Sequence, residues 1–116
     1  MITAVFSKEK NGALLFRVTG HAGYAPKGSD TICSAASVLA YTLSQVMKRM
    51  YEESSLHDEP QIYLEEGDTT ILARPVKERY NECLHAFFVI QVGFELLARS
   101  YPDHVSLVPF EDGEED

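Results

Sequence analysis

The sequence predicts an α+β domain in the order ββαββαβ, a mainly antiparallel sheet packed with two long helices. Three observations carry that prediction. Two alternating, β-prone stretches each fold around a glycine-bearing turn, one at Asn11-Gly12 and one at Gly67-Asp68. Two longer stretches, residues 30–51 and 77–101, repeat apolar side chains every three or four positions. Each hairpin is followed by one of these helices, so the helices share one sheet rather than forming a separate unit.

The elements follow in order. Residues 2–7 alternate, and Lys10-Asn11-Gly12 makes a hairpin turn because Asn and Gly both tolerate positive φ. Residues 13–19 alternate again, with Leu14, Phe16 and Val18 on one face and Leu15, Arg17 and Thr19 on the other. Residues 20–29, GHAGYAPKGS, lose all periodicity and carry three glycines and a proline, so they form a loop. Ser29 or Asp30 then serves as N-cap for a helix whose apolar face is Ile32, Ala36, Leu39, Leu43, Val46 or Met47, and Met50. A polar connection over 52–60 leads to the second hairpin, residues 61–66 and 69–75, with Ile62 and Leu64 facing Ile71 and Ala73. The helix over 77–101 is apolar around much of its circumference (Leu84, Phe87, Phe88, Ile90, Phe94, Leu97), which predicts burial on more than one side. Pro102 ends it, and residues 105–110 make a last strand.

Composition bounds the function. An apolar fraction of 45% over 116 residues suits one globular domain, residues 1–110, with no internal linker. Of the net charge of −8, five acids lie in the last six positions, and the body without them carries −3. Residues 111–116 are thus expected to be a disordered acidic tail. That balance disfavours direct nucleic-acid binding. The N-terminus lacks a basic segment followed by an apolar one, and the apolar stretch 83–98 is interrupted by His85, Gln91 and Glu95. No signal peptide or membrane span is therefore expected, and the predicted compartment is the cytoplasm. The two cysteines, Cys33 and Cys83, lie outside any CxxC pair and the four histidines are scattered, so neither a disulfide nor a metal site is expected, and no cofactor is implied.

The chemistry concentrates between residues 20 and 37. Cys33 falls in the first turn of the first helix, at about its third position if Asp30 is the cap, where unpaired N–H groups and the helix dipole stabilise a thiolate. Its neighbours Ser34, Ala35, Ala36 and Ser37 are small and leave room for a substrate backbone. His21 stands at the other end of the glycine loop, just after a strand, where an imidazole can take the thiol proton and return it to a leaving amine. The same helix start offers N–H groups to an oxyanion. The plainer readings are a small buried cysteine and a loop histidine bonded to a carbonyl, and the residues alone leave the two accounts level. Asp30 either caps the helix or orients the imidazole, and Ser37, one turn beyond Cys33, either bonds near the site or packs the helix. Cys83 reads as core, and His57, His85 and His104 as surface histidines. A tyrosine-phosphatase loop would need arginine at position 39, which is Leu39, and a thioredoxin motif would need cysteine at position 36, which is Ala36.

The segment from Gly20 to Ser37 resembles the signature of the ribosomal-processing cysteine proteases (Prp), Gly-His-Ala…Gly…Asp-x-x-Cys-x-x-x-Ser, which falls here on Gly20, His21, Ala22, Gly28, Asp30, Cys33 and Ser37. Length and element order agree over about residues 1–110. Ser34 stands where many members carry alanine, a change small enough to be tolerated. The resemblance implies a protease that removes the N-terminal extension of the large-subunit ribosomal protein L-twenty-seven precursor. His21 and Cys33 would be its catalytic pair, and Asp30 would stand at the family's acidic position. The resemblance further implies a homodimer, in keeping with the apolar second helix. Apart from the resemblance, the glycines of the loop let it move, so Gly20, Ala22, Gly23 and Gly28 are expected to form a substrate loop that orders over the scissile segment. The alternatives are a non-enzymatic ribosome-associated module of the same fold and a thiol acyltransferase with the same Cys-His chemistry.

Overall fold

A computed structural model describes residues 1–21 and 29–111, with Ser29 and Asp30 described by their backbone alone. Strands β1 (Ile2–Lys8) and β2 (Leu14–Gly20) pair antiparallel from Ile2 opposite Gly20 to Lys8 opposite Leu14. The turn between them is a 3-10 segment in which Asn11 (φ 61°) and Gly12 (φ 76°) take the positive φ expected of that dipeptide. Helix α1 spans Ser29–Glu52, strands β3 and β4 span Gln61–Glu65 and Asp68–Ala73, helix α2 spans Tyr80–Ser100, and β5 is Val105–Val108. The sheet runs β3-β4-β2-β1-β5, antiparallel throughout except for the parallel pair β1–β5. This is the predicted α+β architecture and element order.

Several boundaries differ from those expected. The second hairpin turns on Glu66-Gly67, since Asp68 already pairs with Glu65 and with Thr19; Gly67 has φ 77°, which a glycine adopts without strain. Ile62 does lie opposite Ile71, but Leu64 lies opposite Thr69, and Ala73 runs past the end of β3 to pair with Leu14. A 3-10 turn, Lys77–Arg79, precedes α2. β5 stops at Val108 because Pro109 has no N–H to extend the ladder.

The core lies between the inner sheet face and the helices. Ile2, Ala4 and Phe6 of β1, Leu14 and Phe16 of β2, and Ile71 and Ala73 of β4 are buried on the inner face. Ile32, Ala36, Ala40, Leu43, Met47 and Met50 close it from α1, and Cys83, Phe87, Ile90 and Phe94 from α2. The rings of Phe6 and Phe16 sit 4.9 Å apart, and Phe94 lies 5.5 Å from Phe16. Such aromatic pairs each add about 0.5–1.5 kcal/mol beyond area burial. The helices approach closely at Gly93, where an added Cβ would come within 2.6 Å of Leu39 Cδ2. Buried Gln91 accepts a 2.9 Å bond from the Phe110 N–H, which brings the Phe110 ring 5.6 Å from Phe6.

The expectation that α2 is buried on more than one side is corrected. Within the chain it buries one face, and Phe88, Val89, Val92 and Leu96 on the other are 38–54% exposed. Against the expectation of no membrane span, the helical stretch Lys77–Ser100 is long and apolar enough to cross a membrane by length and composition. Cys83, Phe87, Ile90 and Phe94 pack on the sheet and α1 as in a core helix, whereas Phe88, Val89, Val92 and Leu96 form an exposed apolar face.

Candidate active site

The strand that delivers the candidate base ends on a glycine for a physical reason. Gly20 is the last residue of β2, with φ 93°, and a Cβ there would fall 2.1 Å from the Met1 carbonyl oxygen. Its N–H donates to the Gly67 carbonyl at 3.0 Å. Gly20 is thus a ladder residue held between the start of β1 and the β3–β4 turn, rather than part of a loop. His21 follows at once, exposed to solvent. Its carbonyl accepts a bond from the Met1 nitrogen, and its imidazole rests over Gly67. A Cβ on Gly67 would lie 3.0 Å from His21 Nε2 and 3.2 Å from Cε1. The second hairpin therefore supplies the floor under the imidazole, and only a glycine leaves the ring where it is.

Cys33 belongs to α1, but not at the third position. The helix starts at Ser29, so Asp30 lies inside the first turn rather than before it, and Cys33 is the fifth residue. The N–H groups without an intrahelical partner precede it. Because Cα–Cβ bonds tilt toward a helix N-terminus, the Cys33 side chain still leans over that turn. Cys33 is half-buried against the core, between fully buried Ile32 and exposed Ser34, and Ser37 one turn on is exposed. Ala22, Gly23 and Gly28, expected in the substrate loop, lie outside the described residues, as does the side chain of Asp30.

The other candidates separate clearly. Cys83 is fully buried, its Sγ 3.7 Å from Met47 Sδ, and burial pushes its thiol up to about 12. It remains a neutral core thiol. His57 and His85 are exposed as expected, His85 stacking on Phe88 at 6.4 Å, whereas His104 is half-buried. Gly67 was not singled out for the site. Its sequence signal is that of a hairpin turn, and only the packing of β2 on β4 reveals the second role.

A half-buried thiol over a helix start and an exposed, backed imidazole at a strand end are the two parts that thiol acyl transfer requires. The sequence model of one family, described as cysteine protease Prp, matches residues 1–106. Among solved structures, the chain is similar to the ribosomal processing protease Prp of S. aureus in complex with a covalently linked product peptide. That match has a TM-score of 0.70 and 20% identity, and covers 94% of this chain and 99% of that one. It is also similar to SMU.848 from Streptococcus mutans, with a TM-score of 0.67, 23% identity and 96% of each chain covered. A search of curated proteins returns no match. The S. aureus and S. mutans structures repeat the fold, and the family match extends from the first strand through both site segments into β5: the chain belongs to the Prp family of cysteine proteases.

Proposed function

We propose that this protease removes the N-terminal extension of the L-twenty-seven precursor, with Cys33 as nucleophile and His21 as general base. The observation that carries the residue assignment is the contrast between the two thiols: Cys33 is half-exposed at a helix start, while Cys83 is sealed in the core. His21 takes the thiol proton as Cys33 Sγ attacks the scissile carbonyl carbon. The oxyanion of the tetrahedral adduct faces N–H donors at the start of α1. Collapse breaks the C–N bond, and His21 gives its proton to the departing amine. Water, deprotonated by His21, then cleaves the thioester and restores the thiol. An acid at Asp30 suits the positive helix start and is near enough in sequence to orient His21.

The substrate assignment rests on the family and on the S. aureus relative, whose structure is that of a ribosomal processing protease. Family membership favours this over the non-enzymatic ribosome-associated module. We place the enzyme in the cytoplasm, where such a precursor is made, and as a homodimer whose second copy covers Phe88, Val89, Val92 and Leu96 of α2. The test is incubation with extended precursor, followed by mass spectrometry of its N-terminus. Shortening that is lost in Cys33→Ala and His21→Ala, both folded by circular dichroism, is the expected result; shortening that survives Cys33→Ala removes this assignment. Light scattering of wild type and Leu96→Lys reads the dimer, which the charge should dissociate.

A further inference from the structure

We propose that the free edge of β3, with the groove between it and the C-terminal half of α1, holds the substrate as an added strand, and that the segment it holds is an extended, basic peptide. This rests on the protease reading of His21 and Cys33 and says how that site is fed.

Among the described residues, the sheet order gives β3 a neighbour on one side only. Its pairing with β4 closes at Glu65 opposite Asp68 across a two-residue turn. In an antiparallel ladder, bonded and non-bonded pairs alternate, so Glu65, Tyr63 and Gln61 turn their N–H and C=O groups toward β4. Ile62 and Leu64 turn theirs outward. The 3.0 Å bond from Gly20 N to Gly67 O fits the same phase on the other side of β4. Pro60 precedes the edge and Glu65 closes it, but the stretch between them carries no proline or charge, and Tyr63 and Leu64 are exposed on it.

Beside the edge lies a groove of about 560 Å³, lined by Lys48, Tyr51 and Glu52 of α1 and by Glu59, Pro60, Ile62 and Leu64. A strand added to β3 would send alternate side chains into it, over Ile62 and Leu64. Charge selects the occupant. Glu52 and Glu59 line the groove against the single cation Lys48, so a cationic segment is favoured and an anionic one opposed. Direction ties the groove to the chemistry. β3 runs from the groove at Pro60 to Glu65, and the next turn carries Gly67, which touches the His21 imidazole. A five-residue strand rises roughly 17 Å, so a peptide paired along β3 runs from the groove toward the end of the sheet that carries Gly67 and His21.

The experiment uses the folded Cys33→Ala protein and a synthetic peptide spanning the precursor's cleavage region, read by amide hydrogen exchange. Slowed exchange at Ile62 and Leu64 on adding peptide, with Tyr63 slow in both states, is the expected result. The protection should weaken with added salt. In active enzyme, Ile62→Pro removes one outward N–H without touching the β4 ladder, and Glu52→Lys with Glu59→Lys reverses the groove. Each should raise KM about tenfold with kcat within about twofold. Protection confined to the helix layer or the outer sheet face overturns the proposal. So does protection of Ile62 and Leu64 that grows with protein concentration alone, which would make a second copy the occupant. Unchanged KM in both variants, with wild type cleaving normally, overturns it while the protease reading stands. Peptide that protects the edge but is never cleaved sustains the edge site and removes the precursor as substrate.

Discussion

The two cysteines of this chain both lie near the start of a helix, and the fold treats them in opposite ways. Cys33 is the fifth residue of α1 and Cys83 the fourth residue of α2. A dipole argument from sequence position would favour a thiolate at either. Yet Cys83 sits under the sheet with no exposed surface, against Met47, and burial holds it as a neutral thiol. Cys33 keeps one side open, on the helix that follows β2 and His21 in the chain. The difference teaches that a helix start makes a nucleophile only where water and a substrate can reach it. The partial charge of a helix end contributes at most about 2 kcal/mol, less than the cost of burying an unpaired anion.

The sharpest way to break this comparison is to remove each sulfur in turn. Cys33→Ala is expected to lower kcat/KM for the precursor by at least about 10³-fold while leaving the thermal midpoint nearly unchanged, since the residue is only half-buried. Cys83→Ala should do the reverse, keeping activity and costing about 1–2 kcal/mol in urea unfolding through the space left beside Met47. Alkylation followed by peptide mapping gives a third reading: Cys33 should label in the native protein and Cys83 only after denaturant. Activity lost in Cys83→Ala without loss of stability would undo the distinction.

The next largest effects belong to the glycines that hold His21, the proposed base. Gly20→Ala forces a Cβ to 2.1 Å from the Met1 carbonyl oxygen at φ 93°, and neither backbone can yield without opening the β1–β2 end. A loss of about 2–4 kcal/mol is expected, with activity falling alongside stability. Gly67→Ala behaves differently. Its Cβ meets the far end of a side chain, so the imidazole moves aside and most of the damage falls on catalysis. About tenfold or more off kcat, with KM little changed and only about 1 kcal/mol of stability lost, is the expected pattern. Equal losses of activity in proportion to stability in both variants would make Gly67 a mere turn residue.

What the sequence disclosed and what it concealed divide along the range of the interactions. The hairpin at Asn11-Gly12, the apolar stripe of α1 from Ile32 to Met50 and the element order are written in local periodicity and turn chemistry, and all are found in the fold. Where boundaries slipped, a local signal was misread by a residue or two. The turn falls on Glu66-Gly67 rather than Gly67-Asp68, and α1 begins early enough to move Cys33 from third to fifth position. The one-sided burial of α2 was not legible, because Phe88 and Leu96 look the same in sequence as Phe87 and Phe94. Nor was the role of Gly67 under His21. That contact joins residues 46 positions apart, and it exists only because β4 pairs with β2 from Asp68 opposite Thr19.

The smallest effect returns to Cys83 and concerns pH. Folding raises its thiol from about 9 to about 12, so the native state keeps a proton that the unfolded state releases. The stability from this group is complete below about pH 9 and is lost as pH climbs toward 12, because the unfolded chain is then favoured by ionisation. Tyr80, raised above its usual range by burial and by nearby Cys83, adds to the same trend. At pH 10, one unit above the ordinary thiol value, Cys83 alone should cost about 1 kcal/mol relative to pH 8. Urea midpoints measured across that range for wild type and Cys83→Ala separate the two groups, since the variant should retain only the shallower slope from Tyr80. A wild-type slope no steeper than that of the variant would mean that water reaches Cys83 after all, and the contrast between the two thiols would then rest on His21 alone.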